Sequence, residues 1–405
     1  MFGSQRKQIF LTVAFAAAIC SAVLSQFIIE LIGGQTPQAA ELFMQIPTKA
    51  NLRAFERDLQ ENCWLAQRLR PWMQYARFMT LRELGDKAIT GRAGWFFYRP
   101  SVQYLIEPWS PEIDGGQGDI FAAVLSFRDQ LADRGIKLLL IPVPNKASVY
   151  PDMLTSRVSL TDKPVNCKTL EIISRLRQAG VEVVDLFAVF EQARLSLSPG
   201  DSIRYYLLQD SHWSPEGMRL AAKAVGRRIL DLGWVEKGPV EYSLKSMMIK
   251  RRGDILQMIQ VPQIENEFEP EQIDCTQVIN ARTNQPYQDD PNSEVLVLGD
   301  SFLRIFSQDE PGAGGFVAHL ARELGFALGS IVNDGGASTL VRQQLSRNSA
   351  LLANKKIVVW EFVERDIRFG IEGWQIVRLA TTAGLQSSSF ARRPTEIHFW
   401  QFAHR

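Results

Sequence analysis

The chain has 405 residues, of which 45 are Lys or Arg and 44 are Asp or Glu, for a formal net charge of +1. So even a balance creates no field to gather a polyanion, which argues against an electrostatically driven nucleic-acid binder. Hydrophobic residues make up 46% of the chain, with no internal repeat and no low-complexity tract, which predicts a large globular unit with short attachments.

Arg6 and Lys7 precede an apolar stretch from Ile9 to Ile32, interrupted at Ser21, Ser25, Gln26 and Glu30. Such a run is long enough to span a hydrocarbon core of about 30 Å. Positive charge ahead of it predicts a cytoplasmic segment over residues 1–8, a transmembrane signal anchor over 9–32 and an exported remainder. The chain would then be a single-pass membrane protein with the residues after the anchor outside the cytoplasm. A cleaved signal peptide is the rival reading, but its apolar region is normally shorter and ends in an Ala-x-Ala-like site. Outside the anchor lie Cys63, Cys167 and Cys275, an odd number that permits at most one internal disulfide and does not select a pairing.

Residues 33–75 read as a linker and helical stalk. Gly33-Gly34-Gln-Thr-Pro37 breaks the chain, and Thr48 then opens a helical pattern with Leu52, Phe55, Leu59 and Cys63 on one face. A catalytic domain is expected over 76–370. Gly94-Trp-Phe-Phe-Tyr98 marks entry to a sheet, and a helix-like Gly118 to Arg134 leads to the apolar strand Lys137 to Val143. Val181 to Leu186 follows another helix, and further strand-like runs cover Phe326 to Val332 and Lys356 to Val363. Alternating helices and strands predict a three-layer α/β fold with a mostly parallel sheet. Residues 371–405 read as a C-terminal tail.

Chemistry concentrates at two places. Glu294-Val-Leu-Val-Leu-Gly-Asp-Ser301-Phe302 is an apolar run that stops at Gly-Asp-Ser, which places a serine hydroxyl at the carboxyl edge of the sheet. About ninety residues earlier stands Gln209-Asp210-Ser211-His212-Trp213-Ser214-Pro215-Glu216-Gly217. His212 would take the Ser301 proton as general base, while Asp210 would orient the imidazole and stabilise its cation. Of the four histidines, His319 lies within a helix-like segment and His398 and His404 in the last eight residues. Each motif has an ordinary alternative. Gly-Asp-Ser often only turns the chain, and Ser214-Pro215-Glu216 reads as a helix start with Ser214 as N-cap.

Polar and aromatic residues near strand ends are candidates for substrate contact: Tyr98, Lys146, Trp213 and Arg365. An aromatic face stacks well on a sugar ring. Tyr98 and Trp213 could equally be partly buried anchors, and Lys146 and Arg365 surface charges paired with Asp152 or Glu361. No Cys and His cluster at zinc-site spacing and no Gly-rich phosphate loop occurs, so neither a metal nor a nucleotide cofactor is expected.

Taken in order, Gly94-Trp-Phe-Phe-Tyr98, Ile141-Pro-Val-Pro-Asn-Lys146 with Tyr150-Pro151, Asp210-x-His212-Trp213, Arg252-Gly-Asp-Ile255, Gly299-Asp-Ser-Phe302, and Trp360-Glu361 with Glu364-Arg365 resemble the SGNH-hydrolase-like proteins that O-acetylate alginate and other bacterial exopolysaccharides. The resemblance covers roughly residues 48 to 370. It implies an SGNH-hydrolase-like fold in circularly permuted order, since the Asp-x-His block precedes the serine block and is one residue shorter than the usual Asp-x-x-His. It also implies acetyl transfer to a polysaccharide hydroxyl, with a membrane-bound O-acyltransferase partner as acetyl donor. By the same comparison the oxyanion glycine falls at Asn333-Asp-Gly335-Gly336. The oxyanion asparagine is replaced by Glu364-Arg365, which leaves the Ser301 N–H, Gly335, Gly336 and Arg365 as candidate donors. A secreted carbohydrate esterase with water as acceptor, and a non-catalytic polysaccharide assembly protein, are the competing expectations.

Overall fold

The computed structural model describes residues 2–44, 46, 48–108, 118–159, 164–198 and 200–379. Two units divide the chain: Met1–Arg99 with Leu208–Asp210 and Arg252–Glu271, and Pro100–Leu207 with Ser211–Arg251 and Gln272–Arg405. The domain start expected at residue 76 therefore falls inside the first unit. His398, His404 and the rest of the tail beyond residue 379 lie outside the described residues.

The first unit begins with the helix Phe2–Ile32, on which Ile9, Phe10, Leu11, Val13 and Phe15 are exposed. Taken over the described residues, no helix is long and apolar enough to cross a membrane, so the anchor expected over 9–32 is not confirmed. Helices Lys49–Asn62 and Trp64–Leu81 follow, and Thr48 caps the first of them by accepting the Asn51 N–H at 3.2 Å. The unit's core forms where strands β1 (Ala88–Thr90) and β2 (Phe96–Tyr98) pair antiparallel. Phe78, Leu84 and Phe96 pack there with Ile255, Leu256, Val261 and Ile264 from the helices Asp254–Ile259 and Pro262–Glu265. Phe268 stands edge-on to Phe96 at 4.8 Å and to Phe78 at 5.9 Å. The Arg252-Gly-Asp-Ile255 run acquires a physical reason here. A Cβ at Gly253 would lie 2.1 Å from the Gln209 carbonyl carbon, so only glycine lets the two backbones meet.

In the second unit, β3 (Lys137–Val143), β4 (Glu182–Val183), β7 (Val295–Gly299), β8 (Gly329–Val332) and β9 (Ile357–Val363) form one parallel sheet in the order β4-β3-β9-β7-β8. Strands β5 (Tyr242–Arg251) and β6 (Glu271–Asn280) pair separately. Every residue of β7 and β9 is buried, because helices cover both faces, and that is why these strands read as continuous apolar runs. On one face Leu138, Leu140, Leu298, Val358, Trp360 and Phe362 meet the helices Ile120–Ala132, Cys167–Gln178 and Leu340–Arg347. Helices Leu186–Leu195, Pro215–Asp231 and Phe316–Leu324 pack together as another layer, the first of them against β3.

The expected tail begins too early. Trp374, Val377 and Leu379 are buried, and the Trp374 ring lies 5.6 Å from Trp360 and 5.0 Å from Phe362, so the segment after β9 completes the core. No disulfide joins the cysteines among the described residues; Cys63 and Cys275 are buried and Cys167 is exposed.

Candidate active site

Ser301 is delivered by β7. Its five apolar residues fix the strand between β9 and β8, and the chain turns at Gly299 into the short helix Ser301–Arg304. Asp300 caps that helix, its Oδ1 accepting the Phe302 N–H at 2.9 Å. Phe302 and Leu303 are buried beneath the turn while Ser301 remains partly exposed. The Ser301 N–H has no acceptor among the described residues.

His212 is delivered by a loop closed on itself. Tyr206 and Trp213 form an antiparallel bridge, the Leu207 N–H donates to the His212 carbonyl at 3.3 Å, and the Ser214 N–H donates to the Tyr205 carbonyl at 3.0 Å. The Tyr206 hydroxyl donates to the Pro144 carbonyl and so ties the loop to the end of β3. Ser214 is the N-cap expected from the sequence, accepting the Gly217 N–H at 3.1 Å with Pro215 in the first turn. Gly217 is obligatory, since a Cβ there would sit 2.1 Å from the Tyr205 carbonyl oxygen. Ser214→Ala is expected to cost about 1 kcal/mol of stability, read as a lower denaturant midpoint with an unchanged slope.

These elements bring His212 Nε2 to 2.8 Å from Ser301 Oγ. That is a hydrogen-bond distance, the separation a base and a nucleophile require. The imidazole is buried and rests on Phe302, ring centroids 4.7 Å apart. Asp210, two positions before His212 along the chain, is buried in the first unit and accepts the Asp254 N–H at 3.2 Å. The Leu208 and Gln209 N–H groups just before it donate to the Glu271 carboxylate at 3.0 and 2.6 Å.

The remaining expected site residues have diverse settings. Lys146 follows β3 and is buried, which removes the surface-charge reading. Arg365 follows β9 and is partly buried, and its positive charge favours ionisation of the nearby Asp300 and Asp366 carboxyls. Trp213 corrects the sugar-stacking expectation. It is 0% exposed, stacked on Phe316 at 5.5 Å and edge-on to Phe302 at 5.1 Å, so neither ring face is open to a ligand. Tyr98 is partly buried at the end of β2, packed on the first unit's core. Gly335 and Gly336 lie in the turn after β8, whose Asn333 N–H donates to the Gly299 carbonyl at 3.0 Å. The Gly336 N–H donates to the Asn333 carbonyl at 2.9 Å, which takes it from the set of oxyanion donors; Gly335 has φ +68°.

Sequence reasoning missed the burial of the acidic groups at and near the ends of β7 and β9. Glu361, Asp300, Glu364 and Asp366 are all buried. Burial pushes Glu361 well above the usual carboxylate range, and the Asp300 charge beside it pushes the same way. Burial likewise raises Asp300 and brings Asp366 to about 8. Glu364 is also raised by burial, though the Ser148 hydroxyl at 2.5 Å, the Thr169 hydroxyl at 2.6 Å and the Asn145 N–H at 2.8 Å all oppose this. A glutamate inside the apolar run Ile357-Val-Val-Trp-Glu-Phe-Val363 was the available signal.

A parallel sheet with helical layers and a serine–histidine pair at its carboxyl edge define the class: an SGNH-hydrolase-like α/β protein. The family model for the SGNH hydrolase-like domain of the acetyltransferase AlgX matches residues 88–364, and the chain belongs to that family. It is 25% identical over 283 residues to "Probable alginate O-acetylase AlgJ" of Pseudomonas fluorescens, covering 68% of each chain. Among solved structures, the O-acetyltransferase domain of Pseudomonas putida AlgJ shares the fold with a TM-score of 0.55 at 22% identity, over 69% of this chain and 92% of that one. Pseudomonas aeruginosa AlgX matches with a TM-score of 0.52 at 19% identity, over 68% of this chain and 62% of that one.

Proposed function

We propose that the chain is an O-acetyltransferase that places acetyl groups on hydroxyls of an extracytoplasmic, alginate-like bacterial polysaccharide by way of an acetyl-serine. The observation that carries this reading is the 2.8 Å contact between His212 Nε2 and Ser301 Oγ. As Ser301 Oγ attacks the carbonyl carbon of an acetyl donor, His212 takes its proton. Collapse of the tetrahedral oxyanion expels the donor's leaving group, which receives that proton and leaves acetyl-Ser301. A sugar hydroxyl then gives its proton to His212 and attacks the acetyl carbon, and as the acetyl–Oγ bond breaks the imidazolium returns the proton to Ser301 Oγ. Asp210, two positions earlier in the chain, would orient the imidazole. The Ser301 N–H is one oxyanion donor in this scheme, with the Gly335 N–H or Arg365 as the second.

The family membership supports the acetyl chemistry, and the AlgJ relatives' alginate O-acetylase names support the acceptor class. A membrane-bound O-acyltransferase as donor partner, and an N-terminal anchor that keeps the domain at the periplasmic face of the inner membrane, complete the proposal. Arg6, Lys7 and the exposed apolar side chains between Ile9 and Phe15 support the anchor. On this reading the native chain stays in the membrane fraction after a carbonate wash; a soluble product that starts near residue 26 would replace the anchor with a cleaved signal.

The test of the chemistry is mass spectrometry after incubation with 4-nitrophenyl acetate. An acetyl adduct should map to Ser301, be absent from Ser301→Ala, and pass to an added oligosaccharide faster than to water. Undiminished labelling of Ser301→Ala would remove the nucleophile assignment, and discharge to water alone would make the protein an esterase.

A further inference from the structure

Glu361 is the one charged residue in the fully buried central strand β9, and among the described residues it makes no ion pair. Its Oε2 accepts the Asp300 N–H at 3.0 Å. Glycine at 299 makes this possible, because a Cβ there would stand 2.3 Å from that same oxygen. Asp300 Oδ1 holds the Phe302 N–H at 2.9 Å, while Asp300 Oδ2 and Glu361 Oε1 are buried without a donor from the described residues. The Asp300 backbone contact makes the two carboxyl groups near neighbours, and the Asp300 charge pushes Glu361 further towards its neutral form. Two bare carboxylates cannot share such a site, and one proton between them satisfies both orphan oxygens.

We propose that Glu361 is a positioning residue for Ser301, a neutral carboxylic acid that holds the nucleophile turn by accepting the Asp300 N–H on Oε2 and donating its own proton to the Asp300 carboxylate. The proposal rests on Ser301 being the nucleophile. Several charges decide which carboxyl keeps the proton. The positive Arg365 and the Phe302 N–H favour ionised Asp300, as does His212 once it carries a proton, whereas Asp334 opposes it. Glu361 faces Asp300 and Asp366, both of which favour its neutral form. With the cap so fixed, the Ser301 N–H stays directed at the place where an oxyanion develops, and misplacement by about 1 Å at such a point costs about 10²-fold in rate.

The test compares Glu361→Leu and Glu361→Gln in the full chain with 4-nitrophenyl acetate as the donor. Leucine fills the space without either hydrogen bond, and kcat should fall about 10²-fold with KM for the ester little changed. Glutamine, which can both accept from the N–H and donate to Asp300, should restore most of that rate. Independently of activity, the infrared difference between wild type and Glu361→Gln at neutral pH should contain the carbonyl band of a protonated carboxylic acid. A Glu361→Leu protein with unchanged kcat, a Glu361→Gln protein as slow as Glu361→Leu, or a difference spectrum without that band each overturns the proposal. If Glu361→Leu does not fold, the spectrum decides. Failure of the nucleophile assignment itself shows separately, as adduct formation that survives Ser301→Ala while the infrared band is present.

Discussion

Replacing Ser301 with Ala is expected to lower acetyl transfer by about 10⁴- to 10⁶-fold, and His212→Ala by about as much, because members of such a set act as a unit. The reason is geometric. At 2.8 Å the imidazole can take the hydroxyl proton as the new bond forms. The double variant should be no slower than either single one. Asp210→Asn should keep somewhat more activity than loss of the base, since Asp210 acts through the imidazole and not on the acetyl group. Steady-state rates with an acetyl ester and an oligosaccharide acceptor check all four variants, and near-normal turnover in His212→Ala would require a different base.

Trp213→Ala is expected to cost about 3–5 kcal/mol of stability, seen as a lower denaturant midpoint. The ring is fully buried between Phe302 and Phe316, so its loss opens a cavity directly behind the nucleophile helix. Trp213→Phe should be milder, about 1–2 kcal/mol, because the indole N–H has no hydrogen-bond partner among the described residues and the stack on Phe316 can persist. A variant with normal stability and a selectively raised KM for the acceptor would return Trp213 to the substrate site.

The sheet was legible because parallel strands buried on both faces leave a plain apolar signature. β3 begins and ends where the Lys137 to Val143 run predicts, and the run through Lys356 to Val363 differs from β9 by one residue. The Ser214 cap and the meeting of His212 with Ser301 were equally readable, since turn chemistry and strand ends are local. What sequence did not yield depends on distant partners. Nothing near Trp213 in the chain says that Phe316, about a hundred residues on, covers its face. The division into two units was hidden for the same reason, as Arg252–Glu271 returns to pack with residues before Arg99. The apolar run around Glu361 signals its burial, but nothing near it in the chain names Asp300, about sixty residues earlier, as its partner.

Strand β9 is made last yet lies at the centre, pairing with β3 through Leu139 and Val359 and with β7 through Val297 and Val359. A nascent chain that has emerged only as far as Ser301 carries its nucleophile on a strand with no inner neighbour, and the Asp300 cap has no Glu361 to meet. The Ser301 turn therefore matures only when the most distant of its pairings closes, which makes the topology slow to fold and leaves open strand edges until then.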